Sequence, residues 1–222
     1  VNEIRKLKSD CRVINHYGPT ETTVGVVSYD TTKIRIDDHS AQEFCPLGQA
    51  FPNTDLYVLD KFLNPVPKGV VGELFIGGEG LAHGYVDQPK LTAMHFMPSP
   101  FSKRGERLYK TGDRVRLSHK GELEFIGRSD HQVKLRGYRI ELGEIEHHIR
   151  QIKSISEALV VLAKHPKTNG DVLVSYVQCS DIFDSRSVTE QLLKELPEHM
   201  VPTHWQLVDS FPRLSSGKID RK

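Results

Sequence analysis

Hydrophobic positions along this chain change their period part of the way through. Over residues 47–125 they come in short runs, at 56–59, 73–76 and 123–126, each cut off by glycine or proline, the pattern of β-strands joined by turns. Residues 11–15 alternate apolar and polar like a further short strand, and Tyr17-Gly18-Pro19 then forces a turn. After Gly127 the period lengthens. Leu142, Ile145, Ile149 and Ile152 recur at three- and four-residue spacing, which predicts an amphipathic helix over 141–152. β-Branched runs at 158–163 and 172–177 flank a polar segment with Pro166, Asn169 and Gly170, predicting a hairpin with a long turn. Ser187 followed by Glu190 reads as a capping box that opens a second helix through Leu193, closed by Leu196-Pro197, and 205–208 reads as a last strand. The expected fold is α/β (α+β) in two parts, a β-rich 1–128 and a smaller α/β 129–222, with the boundary at 127–132.

Composition narrows the function classes. With 222 residues, 37% hydrophobic and 27% charged, the chain can form a folded core and is too balanced for a disordered tail. A formal net charge of +1 gives no global field to recruit nucleic acid or an anionic membrane, so any phosphate chemistry is local. The three cysteines are far apart and odd in number, which argues against a disulfide framework and suits a reducing cytoplasm. No apolar run reaches the roughly 18 residues of a membrane span. Eleven histidines include the adjacent His147 and His148, but neighbours on a helix point apart and no H-E-x-x-H or Cys/His spacing supports a metal site. Val1 leads without an initiator Met into helix-like polar residues 2–10, which reads as an internal cut.

Five stretches hold candidate chemistry. In Asn15-His16-Tyr17-Gly18-Pro19-Thr20-Glu21 a tight turn presents an aromatic, a hydroxyl and a carboxylate. Such a set can offer a phosphate donor beside a Mg²⁺ ligand, or can be a surface turn with a packed tyrosine. Gly77, Gly78, Gly80 and Gly84-Tyr85 follow Gly72-Glu73-Leu74. Their spacing fails the dinucleotide fingerprint, so tight β packing is the better reading. In Tyr109-Lys110-Thr111-Gly112-Asp113 an acid follows a turn glycine, where it can accept both ribose hydroxyls of a nucleotide. The run 127–139 packs cations and glycines, including Arg128, Asp130 and Gly137, between the two parts, as a charged hinge would. Gly217-Lys218 places a long flexible cation just after a residue that lets the backbone bend.

In this order, these segments resemble the core motifs of the adenylate-forming superfamily, and specifically the adenylation domains of nonribosomal peptide synthetases, over nearly the whole chain. The family motifs N-x-Y-G-P-T-E, G-E-L-x-I-x-G-x-G, Y-x-T-G-D, G-R-x-D-x-Q-V-K-x-R-G-x-R-I-E-L-x-E-I-E, L-P-x-x-M-x-P and N-G-K-x-D-R all have counterparts, the fifth at 196–202. Ser216 stands where Asn is usual and His83 where Arg is frequent.

The resemblance implies the C-terminal part of an enzyme that activates an amino acid with ATP and Mg²⁺. The product is passed to the phosphopantetheine thiol of a peptidyl carrier domain, in an assembly line that also holds a condensation domain. It implies that Thr20 contacts phosphate, Gly18 belongs to the nucleotide-binding set, Glu21 holds Mg²⁺, Tyr17 lines the adenine site, Asp113 takes the ribose hydroxyls and Arg128 sits near ribose and phosphates. Lys218 corresponds to the lysine that bridges substrate carboxylate and phosphate during adenylation. Asp130 corresponds to the hinge of a small lid, and Gly137 to the lid face used in thioester formation. His16, Val24 and Gly25 fall on pocket-lining positions. A histidine donor facing the end of a side chain suits a carboxylate, which makes aspartate the expected substrate, with asparagine and proline as rivals. The family's phosphate loop and most of its pocket would lie upstream of Val1, so this piece alone is expected not to turn over. The competing readings are an acyl- or aryl-CoA synthetase and a non-catalytic docking or scaffold piece.

Overall fold

The structure is a computed structural model that describes residues 11–33, 45–180, 182–215 and 217–221. The helix-like stretch 2–10 and Ser216 lie outside the described residues. Two units form, Val1–Asp130 and His131–Lys222. Among the described residues no helix is long and apolar enough to cross a membrane.

In the first unit β1 (Ile14–Tyr17), β2 (Val27–Asp30) and β3 (Gln49–Ala50) make a small antiparallel sheet. A second antiparallel sheet holds β4 (Thr54–Leu59), β5 (Val71–Gly78), β6 (Phe96–Pro98), β7 (Arg107–Leu117) and β8 (Leu123–Arg128). The short helix α1 (Pro89–His95) precedes β6. β7 pairs with β5 and also with both β6 and β8. The continuous apolar run of β5 follows from burial on both faces, since successive strand residues point to opposite sides. Leu74 and Ile76 join Tyr17, Val26, Val27, Leu47, Val115 and Leu123 in one core cluster, while Phe75 joins Leu59 and Leu108 in another.

The sequence places Gly112 in a turn, but it lies inside the eleven-residue β7. Glu73 and Phe75 of β5 pair with Arg114 and Lys110, so Leu74 alone stands opposite Thr111, Gly112 and Asp113. The strand bulges there because its own side chains satisfy the displaced backbone. Thr111 Oγ1 donates to the Leu74 carbonyl at 2.8 Å and accepts from the Asp113 amide at 2.9 Å. Gly112 takes φ +76°, and a Cβ there would stand 2.5 Å from Asp130 Oδ2 and 2.7 Å from Arg128 Nη2. A bulge of this kind re-aims a side chain, and here it turns Asp113 into the interior.

The second unit opens with a hairpin that its charge pattern hides. β9 (Gln132–Leu135) and β10 (Tyr138–Glu141) pair through Arg136 and Gly137, both at positive φ (52° and 87°), as a two-residue type I′ turn requires. The helix expected over 141–152 forms as α2 (Leu142–Arg150) and buries Leu142, Ile145 and Ile149. The expected hairpin forms from β11 (Ile155–Lys164) and β12 (Asp171–Cys179). α3 (Ser185–Glu195) starts earlier than the Ser187 capping box predicts, because the Asp184 side chain accepts from the Arg186 amide at 3.0 Å and is the cap. After α3, β13 (His204–Leu207) pairs parallel to β12, a strand–helix–strand crossover. Helix residues Ile145, Ile149, Val188 and Leu192 share a core with Ala158, Val160, Leu173 and Val177.

Two consequences follow for stability. Gly121 has φ +78° and no atom near its absent Cβ, so Gly121→Ala measures the left-handed backbone cost alone, about 1–2 kcal/mol. Gly112→Ala adds the collision with Arg128 and Asp130, and is expected to cost a further ~1–3 kcal/mol in denaturant unfolding; equal losses in the two variants would refute the crowding. Glu73 keeps Oε1 buried without a hydrogen-bond partner, and burial pushes its pKa up although Lys110 Nζ, 3.8 Å away, opposes the shift. A raised carboxyl pKa means the folded state holds the proton more tightly than the unfolded state, so its anion weakens folding above the folded pKa. Glu73→Gln is therefore expected to raise the melting temperature most at neutral pH. The gain is expected to fade as pH drops toward the ordinary glutamate range.

Candidate functional site

In the first unit the fold gathers Tyr17, Asp113, Arg128 and Asp130 at one point. Asp113, at 6% exposure, comes from the β7 bulge, Arg128 from the end of β8 directly across the ladder, and Tyr17 from the end of β1. Arg128 Nη1 donates to Asp113 Oδ1 at 2.5 Å, and the Tyr17 hydroxyl donates to Asp113 Oδ2. The rest of the guanidinium is also engaged: Nη2 donates to the Thr111 carbonyl at 3.0 Å, and Nε and Nη2 donate to the Asp130 carboxylate at 2.6 and 2.7 Å. Burial first, and then the Asp113 charge, push the Tyr17 pKa far up, so the phenol stays a donor. Each carboxylate oxygen of Asp113 offers two acceptor sites, and the two named bonds take one on each.

The turn after Tyr17 forms a second cluster. Val26 N returns to the Tyr17 carbonyl at 2.9 Å, closing the loop over Gly18, whose Cβ would lie 2.8 Å from the Val24 carbonyl carbon. Thr20 is exposed, and Glu21 is half-buried in the short 3₁₀ turn Thr20–Thr22. The glycine-rich segment braces this turn. Ala82 N donates to the Glu21 carbonyl at 2.8 Å, Thr23 Oγ1 to the Gly80 carbonyl at 2.7 Å, and Arg107 anchors the brace through the Ala82 and His83 carbonyls. Those glycines serve packing, as their spacing suggests. Sequence reasoning missed Tyr85, whose hydroxyl donates to Glu21 Oε1 at 2.7 Å. Its pKa is raised by burial and then by Glu21, so it too remains a donor. The adjacent Gly84-Tyr85 pair in the motif was its only sequence signal. Among the described residues no cluster of three or more His, Cys, Asp or Glu could hold a metal. Glu21, oriented by Tyr85, offers the kind of carboxylate oxygen that suits Mg²⁺.

His16 is exposed, with its ring 5.6 Å from that of Phe51 and its Nε2 crowding the place where a Gly25 Cβ would be. Gly25 therefore makes room first for the imidazole. Thr23 and Val24 are both left-handed (φ 64° and 65°), an uncommon conformation for β-branched residues, and Val24 is 65% exposed.

In the second unit Gly137 lies in the exposed I′ turn. Lys218 is exposed on a small hairpin closed by the bridge between Arg213 and Ile219.

Residues 2–86 match the family model of the AMP-binding enzymes, and residues 144–218 match that of the AMP-binding enzyme C-terminal domain. Tyrocidine synthase 3 of Brevibacillus parabrevis is 44% identical over 211 residues, covering 95% of this chain and 3% of its own length. Bacitracin synthase 3 of Bacillus licheniformis is 46% identical over 209 residues, with shares of 94% and 3%. Holo-PA1221, an NRPS protein containing adenylation and PCP domains bound to a vinylsulfonamide inhibitor, superimposes with a TM-score of 0.82 at 28% identity, over 99% of this chain and 37% of that one. The α/β fold and the order of the motifs agree with these matches. The chain belongs to the AMP-binding enzyme family, and within it to the adenylation domains of nonribosomal peptide synthetases.

Proposed function

We propose that this chain supplies the nucleotide-holding end and the lysine-bearing lid of a domain that activates an amino acid as its adenylate. The observation that carries the reading is Asp113, a buried carboxylate aimed by a β-bulge and held by Arg128 and Tyr17. In the first step an oxygen of the amino-acid carboxylate bonds to the α-phosphorus of ATP, and the bond to the bridging oxygen breaks to release pyrophosphate. In the second a carrier-domain phosphopantetheine thiol loses its proton and its sulfur bonds to the activated carbonyl, with AMP leaving. Both steps gather negative charge on oxygen, so fixed donors and cations supply the acceleration.

Asp113 orients the ribose, Arg128 sits by ribose and phosphate, Tyr17 lines the adenine site, Thr20 contacts phosphate and Gly18 belongs to the same nucleotide-binding set. Glu21, aimed by Tyr85, would hold Mg²⁺, which neutralises phosphate charge when bound. Lys218 bridges the substrate carboxylate and the phosphate during adenylation, Gly137 serves thioester formation, and Asp130 is the hinge between those tasks. His16, Val24 and Gly25 line the amino-acid pocket, and the exposed imidazole favours aspartate. The carrier partner is supported by holo-PA1221, which joins adenylation and PCP domains. A condensation domain in the same assembly line and a cytoplasmic setting complete the proposal.

Amino-acid-dependent ATP–pyrophosphate exchange, measured on the complete adenylation domain across proteinogenic amino acids and fatty and aryl acids, tests this reading. Aspartate is expected to drive exchange. Exchange with another amino acid removes the aspartate assignment, and exchange with fatty or aryl acids alone moves the chain to the CoA-synthetase reading. Asp130→Pro fixes φ at the hinge and is expected to spare adenylation while slowing thioester formation. Because Asp130 also takes two hydrogen bonds from Arg128, Asp130→Ala is the control that loses the carboxylate without the backbone restraint. Equal loss of both steps in Asp130→Pro would refute the hinge role.

A further inference from the structure

Lys218 sits on a hairpin whose backbone bonds fix its internal shape but not its place on the unit. Leu214 N donates to the Lys218 carbonyl at 2.9 Å, Gly217 N to the Leu214 carbonyl at 2.9 Å, and Asp220 N to the Pro212 carbonyl at 2.8 Å. Residues 212–215, 217 and 218 are exposed, so little apolar burial holds the segment down. Two arginines bracket it. Arg221 Nη2 donates to both Glu146 oxygens at 2.7 Å, and Nη1 donates to the Val160 carbonyl at 3.3 Å. Arg213 Nη1 donates to the Gly217 carbonyl at 2.9 Å, and its Nη2 donates to Glu157 on β11.

Glu146 stands at an unexpected place for a carboxylate. It lies on the buried face of α2 beside Ile145 and Ile149, at 5% exposure, and Oε1 also accepts the Val160 amide at 2.9 Å. Arg150 Nη1 is a distant 3.9 Å from Oε2. An apolar side chain would suit that face at least as well for stability, because desolvating an ion pair offsets most of its attraction. What the carboxylate adds is direction: with Nη2 held between both Glu146 oxygens and Nη1 on the Val160 carbonyl, the planar guanidinium is fixed at two points in distance and angle.

We propose that the Arg221–Glu146 pair, seconded by Arg213–Glu157, is a positioning clamp that sets where Lys218 stands for the adenylation step. Arg221 and Glu146 act through Lys218 and touch no substrate. The inference rests on the proposed role of Lys218, and the test separates the two.

The complete adenylation domain with its carrier partner is assayed for pyrophosphate exchange and, separately, for thioester formation from supplied aminoacyl-adenylate. Lys218→Ala, Arg221→Ala, Arg221→Lys and the double variant Lys218→Ala/Arg221→Ala are compared. Misplacing a catalytic group by about 1 Å costs on the order of 100-fold, so Arg221→Ala is expected to slow exchange about 10–100-fold through kcat, with thioester formation within about twofold of wild type. Arg221→Lys recovers only part, since one ammonium nitrogen can meet the Glu146 oxygens but brings no second, fixed nitrogen to the Val160 carbonyl. The double variant is expected to be no slower than Lys218→Ala alone. Wild-type exchange in Arg221→Ala, equal loss of both steps, or losses that multiply in the double variant would overturn the clamp. Wild-type exchange in Lys218→Ala would sink the parent reading and the clamp with it, whatever Arg221 does. If Arg221→Ala unfolds the lid, Arg213→Ala, at a half-exposed site, takes its place: selective loss of exchange supports the clamp and wild-type exchange overturns it.

Discussion

The guanidinium of Arg128 meets three acceptors from two stretches of the first unit: the Asp113 carboxylate and the Thr111 carbonyl of the β7 bulge, and the Asp130 carboxylate. A lysine ammonium has no planar fork and could not hold all three in fixed directions. Remove this group and Asp113 is left buried with a phenol as its one named donor, which is costly for a charge out of water. The bulge depends on it as well. Thr111 and Asp113 belong to the three residues that face Leu74, and Gly112 between them leaves the space that Arg128 and Asp130 fill. A buried carboxylate, a strand irregularity and the last residue of the unit are thus settled by one side chain.

What was legible in the sequence follows from how local each feature is. The helix α2 and the hairpin β11–β12 announce themselves because their apolar period is set by the face they bury. The bulge at 111–113 did not, because a glycine before an acid reads as a turn unless the pairing partner is known. The β9–β10 hairpin hides among cations, where only two consecutive positive φ values reveal an I′ turn at Arg136-Gly137. Ser187 failed as a cap because Asp184 reached an amide of the same helix first. The parallel pairing of β13 is set by contacts distant in sequence, which no local pattern encodes.

The candidate site divides along the same line. Asp113, Arg128, Glu21 and Lys218 stand in motifs that a resemblance makes readable. The groups that hold them are separated by long stretches of chain: Tyr17 from Asp113, Tyr85 from Glu21, and Glu146 from Arg221. A single sequence offers no pairing signal for those partners. Yet each is buried or half-buried, so the part of the machinery hardest to read is the part held most firmly by the fold.

Both units also solve one problem in the same way. Packing alone does not fix the direction of a polar side chain, whether it is buried among strands or exposed on a hairpin. In the first unit a buried carboxylate is aimed by Arg128; in the second the exposed Lys218 sits between arginines tied to Glu146 and Glu157. Such pairs add little net stability, because desolvation cancels much of their attraction, while loss of either partner strands a buried charge. They are therefore poor choices for strengthening a core and good ones for fixing a direction. That asymmetry is why the arginines, which perform no bond-making themselves, are the residues on which the geometry of both units turns.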